Sequence, residues 1–243
     1  MTRWLLAAFF ALASGAARAD SIIADLSSHA IAVGAGFTGA SVVLFGATDG
    51  PADVIAVMRG PEHDETVWRK GKVAGIWTNA ESVTFATVPG FYGIAASRPI
   101  DDIISPAAAA LHQIGVANLK FEPREAVSPE RARLFTDALI DVQKQAGVFS
   151  PSPIRIYFLG DRLFRTSFTL PANTPTGTYL VEVFLVRDKE VVSGQTTPLI
   201  VSRVGVDATV FDFAQHSPLT YGAIAVIMAV MAGWLANLPF RNA

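Results

Sequence analysis

From His29 to Arg203 the chain is dominated by short apolar stretches broken by turn residues. His29, Ile31 and Val33 alternate with small residues, and Ser41–Phe45 (SVVLF) and Asp53–Arg59 (DVIAVMR) are β-branched apolar runs. Gly75–Thr78, Val83–Val88 and Phe91–Ser97 continue the set. Asp49-Gly50-Pro51, Gly60-Pro61, Lys70-Gly71, Asn79 and Pro89-Gly90 separate these stretches as turns. Short strands at this spacing predict an antiparallel sandwich. The pattern returns in Ile154–Leu159 and Leu163–Leu170, flanking a tight turn at Gly160-Asp161, and in Thr178–Arg187 and Leu199–Arg203.

Between the two β-rich stretches the period changes to that of a helix. Ser105-Pro106 opens AAAALHQI and Gly115 closes it; Ser128-Pro129-Glu130 opens RARLFTDALIDVQKQA and Gly147 closes it. Ser at the N-cap, Pro at the first helical position and Gly past the end are the expected boundary residues. In the second helix Leu134, Phe135, Ala138, Leu139 and Val142 predict the face that packs on a core. Val83–Ser97 and Phe168–Val186 share a plan: a strand, a Pro/Gly turn, then Tyr92 or Tyr179 leading into another strand. A tyrosine so placed resembles the tyrosine corner of immunoglobulin-like sandwiches. The expected fold is therefore mainly β with a helical connector. Two immunoglobulin-like β-sandwich units, residues 20–100 and 150–204, flank a helical segment at 101–149.

The two ends read differently. MTRWLLAAFFALASGAARAD has a positive n-region at Arg3, a short apolar run and an A-x-A site at Ala17–Ala19, which predicts a signal peptide at 1–19, with an uncleaved anchor as the alternative. Near the C-terminus, Leu219–Leu238 is free of charge over 20 residues. At about 1.5 Å per residue this length matches the roughly 30 Å apolar core of a bilayer, with a buried hairpin helix as the alternative. Ser217-Pro218 starts a transmembrane helix expected at 218–238, with Tyr221 and Trp234 near its ends. Arg241 follows, and no Lys or Arg lies between Val204 and Phe240, which fits a short cytoplasmic tail at 239–243. Residues 205–217 form a juxtamembrane segment in which Val206, Val210, Phe213 and Ala214 fall at helical spacing. The expected localisation is the inner membrane, with the bulk of the chain in the periplasm. Within the span, Ala225, Ala229 and Gly233 recur every fourth residue, a stripe that permits close helix–helix approach.

Composition narrows the function. Without Arg3 and Arg18 the chain carries 17 basic against 21 acidic residues, a mildly acidic body that argues against nucleic-acid binding. It has no cysteine, so disulfides, thiol chemistry and Cys-based metal sites are excluded. Gly34, Gly36 and Gly39 in GAGFTG have dinucleotide-fingerprint spacing, yet the following SVVLFG reads as a strand, not the helix a pyrophosphate needs. A glycine-rich turn between two strands is expected, and no nucleotide or other cofactor. Glu62-His63-Asp64-Glu65 is the densest group of potential metal ligands, with His63, Asp64 and Glu65 the weak candidates. Neighbours on a strand point to opposite faces, so these side chains converge only in a loop. His29, His112 and His216 are scattered singly. Arg69-Lys70-Gly71-Lys72, flanked by Trp68 and Trp77, predicts a basic hairpin turn; Trp68, Arg69, Lys70 and Trp77 are the partner-binding candidates. No catalytic residue is assigned. The preferred reading is a non-enzymatic, single-pass membrane protein that binds a partner. A periplasmic metal- or ligand-binding enzyme using the Glu62–Glu65 loop is the alternative.

Four stretches, SSHAIAVGAGFTGASVVLFGATDGP, RGPEHDETVWRKGKVAGIWTNAESVTFATVPGFY, LPANTPTGTYLVEVFLVRD and YGAIAVIMAVMAGWLANLPFR, together resemble the putative transmembrane protein family of alphaproteobacteria. The resemblance covers nearly the whole chain. It implies no activity or catalytic residue. It does imply a transport-related partner, since members of that family are often encoded beside sulfite-exporter-like membrane proteins.

Overall fold

The structure is a computed structural model that describes residues 21–73, 75–205 and 213–237. The expected signal peptide (1–19), the tail (239–243), Leu238 and residues 206–212 of the juxtamembrane segment, with Val206 and Val210, lie outside the described residues.

Three β layers make up the body. One sheet has the order β1 (Ile22–Leu26), β3 (Gly39–Thr48), β11 (Leu163–Pro171), β10 (Tyr157–Leu159), all antiparallel. A second has the order β2 (Ala30–Val33), β13 (Glu190–Arg203), β12 (Gly177–Arg187), β4 (Asp53–Arg59), β7 (Tyr92–Ala96), β9 (Ile154–Arg155). In it β2 runs parallel to β13 and β9 parallel to β7. The third is a long hairpin of β5 (Glu62–Val73) and β6 (Ile76–Pro89), extended by the two-residue β8 (Glu122–Pro123). The helices are α1 (Ile100–Ile103), α2 (Pro106–Leu111), α3 (Pro129–Gln145) and α4 (Pro218–Asn237).

Two apolar cores flank the second sheet. On one side Leu26, Val42, Leu44, Phe164 and Phe168 of the first sheet meet Val54, Met58, Val181, Val183 and Leu199. On the other, Ile55, Val57, Ile94 and Val186 meet Val83, Phe85 and Val88 of the hairpin and Ile103, Phe135 and Leu139 of the helices. Strands covered on both faces carry continuous apolar runs, whereas half-covered strands alternate. DVIAVMR and YGIAA are buried throughout their centres, while β1 and β11 alternate buried and exposed.

The fold is mainly β with a helical connector, as expected, but the two β segments are not two units. Strand β3 of the first pairs with β11 of the second over nine residue pairs, and β4 pairs with β12. Both segments build the same two sheets. Alternation reveals which face of a strand is buried; it is blind to whether the pairing strand is ten or a hundred residues away.

The helix boundaries follow local chemistry. Ser105 Oγ accepts from Ala108 N (3.2 Å) and Ser128 Oγ accepts from Arg131 N (3.4 Å), each with Pro at the first helical turn. Gly147 adopts positive φ just past α3, as helix-ending glycines do, whereas α2 stops at Leu111, short of Gly115, and Gln113 takes the positive φ after its cap. The buried face of α3 is corrected: Phe135, Leu139 and Gln143 turn inward at i, i+4 spacing, and Leu134 and Val142 are exposed.

The Gly34–Gly39 stretch connects β2 to β3, with Phe37 N donating to Gly34 O (3.0 Å). At Gly39 φ is 122° and a Cβ would stand 2.8 Å from Leu170 O, so strand pairing demands glycine there. A strand follows, not a phosphate-binding helix. Tyr179, fully buried, donates from Oη to Pro175 O (2.7 Å), four residues upstream. Tyr92 behaves differently: its Oη accepts from Gly115 N (2.8 Å) and donates to Gln113 O (3.1 Å), tying β7 to the connector.

Candidate interaction surfaces

Residues 62–73, expected to hold an acidic turn and a basic turn, form one continuous strand. Pairing runs on through Gly71↔Thr78 and Lys72↔Trp77 to Val73↔Ile76, so the hairpin turn lies beyond the basic residues. Register irregularities fall between His63 and Glu65 and between Arg69 and Lys70. The root of the hairpin is buried through Val67, Val83, Phe85 and Val88. Its outer half is in water on both sides wherever side chains are described, with Trp68 at 56% and Trp77 at 66% exposure. Trp68, Lys70 and Lys72 occupy alternating positions on β5 and therefore share a face. Trp77 is directly across from Lys72, whose Nζ sits 5.5 Å from the indole centroid. Arg69 faces the other way, near Glu81 (3.7 Å), which Arg131 of α3 also approaches (3.8 Å). The structure thus puts Trp68, Lys70 and Trp77 on one face and turns Arg69 aside. The face carries two large exposed aromatics beside long-stemmed cations.

The acidic cluster does not converge. His63 Nε2 lies 3.0 Å from Glu65 Oε2, while Asp64 points to Arg124 of the connector (2.6 Å). Among the described residues no three His, Asp or Glu side chains gather to hold a metal ion.

One polar centre escaped sequence reading. Arg59, at the end of β4, is half-buried and ion-paired with Glu182 of β12. It donates to the carbonyls of His112 (3.0 Å) and Gln113 (3.1 Å), and lies 5.9 Å from the Tyr92 ring centroid. Burial lowers the Arg59 pKa and raises that of Tyr92. Gln113 and Thr87, which line the same cleft, have positive φ (51° and 54°). Arg59 thus links β4 and β12 of the second sheet to the His112–Gln113 carbonyls of the connector. Its only sequence signal is a cation ending an otherwise apolar run.

A second surface unseen in the sequence is the outer face of the first sheet. Ile23, Phe45 and Leu163 there are 71%, 47% and 57% exposed and, with Leu159, border an open apolar groove.

Helix α4 spans 20 residues without a charge, and each of its side chains described, Pro218 to Trp234, is exposed. Those described side chains cover 17 positions of the helix, and among the described residues no helix is long and apolar enough to cross a membrane. Ala225, Ala229 and Gly233 are exposed, and among the described residues a Cβ at Gly233 would find no atom within 4 Å.

A family model described as "Putative transmembrane protein (Alph_Pro_TM)" matches residues 21–242. No curated protein matches the chain.

Proposed function

The chain belongs to the Alph_Pro_TM family, and from that membership we propose that it is a single-pass membrane protein whose exported β domain binds a second membrane protein. The observation that carries this reading is α4. A helix whose large apolar side chains, from Leu219 through Ile224, Ile227, Val230 and Trp234, are exposed all round has no stable place in water. At about 1.5 Å per residue its 20 residues match an apolar slab of about 30 Å. Tyr221 and Trp234 then lie at interfacial depth. The domain precedes the span, and the basic residue after it supports a periplasmic body in the inner membrane.

We read the body as one immunoglobulin-like unit. The strand orders of its two sheets and a parallel contact between the second strand β2 and the last, β13, support this, as does Tyr179, bonded back to Pro175 as a tyrosine corner is. On this scaffold the Trp68–Lys70–Trp77 face is the partner contact outside the bilayer, and the Ala225–Ala229–Gly233 stripe the contact within it. The transport-related partner that the family resemblance implies fits a surface of both kinds.

Carbonate extraction of membranes and protease protection of a C-terminal tag test the anchor. Full retention in the pellet with a protected tag is expected; release by carbonate refutes the span. Co-purification from mild detergent tests the contacts. Trp68→Ala with Trp77→Ala should lose the partner while the thermal midpoint stays unchanged, because both rings are exposed. An undiminished partner in that double variant, and in Ala229→Leu with Gly233→Leu, refutes both contacts.

A further inference from the structure

The outer face of the four-stranded sheet has a symmetry that no single-copy role requires. Register places three residues side by side in each row across β1, β3 and β11. Ile23, Ala47 and Leu163 form one row and Asp25, Phe45 and Arg165 the next; Ser27, whose N donates to Val43 O, begins the row of Val43 and Ser167. About the centre line of β3 each row is balanced over these three strands: aliphatic against aliphatic, acid against base, serine against serine; β10 extends the first two rows beyond β11 with the exposed Leu159 and Tyr157.

We propose that this face is the contact between two copies of the chain, related by a two-fold axis running along β3 over Phe45. Such an axis exchanges left and right across β3 and keeps each row level. Asp25 of one copy then meets Arg165 of the second, twice per dimer, and Ile23 meets Leu163. The two Phe45 rings meet at the axis. Within one copy Asp25 and Arg165 are two strands apart, about 10 Å, with Phe45 between them, so they do not pair. Arg165 forms no ion pair among the described residues. Asp25 accepts from Leu26 N (2.8 Å) and lies 2.8 Å from His29 Nε2, with about half its side chain exposed. The charges are thus matched to a second copy, and only to this axis. A two-fold axis across the strands sets Asp25 on Asp25 and Arg165 on Arg165, which is repulsive.

The direction of the axis also rests on the proposed anchor. The chain leaves the second sheet at Arg203, beside Val33 and Gly177, at one end of the strands. Rotation about an axis along β3 keeps both such ends on the same side, so both copies enter one bilayer.

The chain has no cysteine, so single-cysteine crosslinking has a clean background. Facing sheets stack about 10 Å apart, too far for a disulfide but within reach of a short bis-maleimide. Full-length Phe45→Cys in membranes should crosslink to a dimer, while Ile200→Cys, exposed on the second sheet, should not. In the Phe45→Cys background, Asp25→Arg and Arg165→Asp should each lower the yield about tenfold, and the two together should restore it. No dimer from the Phe45→Cys chain at full labelling overturns the proposal, and a double swap no better than the singles overturns the axis. Carbonate extraction of the same preparations separates the two readings: crosslinked dimer that washes off refutes the anchor and leaves this face standing.

Discussion

Arg59→Met removes a cation that joins the second sheet to the connector. Arg59 is opposite Leu180, and Glu182, two residues on, is its diagonal neighbour on the face packed against the second core. The substitution keeps the stem's volume but deletes two charge-assisted hydrogen bonds, to His112 O and Gln113 O. It also leaves Glu182 unpaired. Breaking a fully buried pair costs about 3–5 kcal/mol. Here the side chains are 22% and 27% exposed, so solvent offsets part of that, and a loss of about 3 kcal/mol is expected. At roughly 2–4 °C per kcal/mol for a body of this size, the melting midpoint falls by about 6–12 °C. Removing the stranded charge as well, in Arg59→Met/Glu182→Gln, should recover about 1 kcal/mol or more. Thermal denaturation of the full chain in mild detergent, followed by circular dichroism, reads both numbers. A loss under about 1 kcal/mol in the single variant, or a double variant no more stable than the single, refutes this link.

Two further outcomes follow from backbone and charge. Gly39→Ala forces a side chain onto φ of 122° and against Leu170 O, and should cost about 1–3 kcal/mol in the same melt; Gly36→Ala, with nothing within 4 Å, should be close to neutral. Asp53 is held below the usual carboxylate range, chiefly by the hydrogen bond from Arg98, with Ser97 adding to it. Its folded pKa is lower than its unfolded one, so its contribution is present above about pH 4 and is lost as pH falls through the folded value. Asp53→Asn should therefore be less stable at pH 7 and show a flatter acid limb between about pH 4 and 2; an unchanged acid limb refutes this role.

The sequence revealed most strands with a buried face, and both capped connector helices, because apolar period and Ser-Pro caps are local signals. Asp53–Arg59 was read to the residue. It missed β5, since EHDETVWRKGKV is charged on both faces: only its root is covered, so burial imposes no alternation on the rest. It also divided one sandwich into two, because the β3–β11 and β4–β12 pairings join segments more than a hundred residues apart. Trp68 and Trp77 were legible as a pair, being large aromatics beside cations. Which cations share their face was not, because Lys72↔Trp77 depends on where the register slips. Arg59 and the balanced rows around Phe45 are properties of register and carry no signature along the chain.

Where the tether leaves the domain argues for what the hairpin meets. Val33, Arg59, Gly177 and Arg203 all lie at one end of the second sheet. The hairpin is rooted at that same end: Gly60 N donates to Phe91 O, Gly90 N to Pro61 O, and Pro61 packs on Gly177. The Gly34–Gly39 loop and the Pro171–Gly177 turn complete it. From Val204 to Ser217 the chain has 14 residues, at most about 50 Å when fully extended. With α4 in the bilayer, this end of the sandwich is held within that distance of the lipid surface. On the proposed anchor, the hairpin therefore starts from the membrane-facing end of a domain that cannot move far from the bilayer. A soluble partner gains nothing from that placement, whereas a partner embedded in the same bilayer is confined to the same layer, where a weak aromatic contact is reinforced by the helix contact below it.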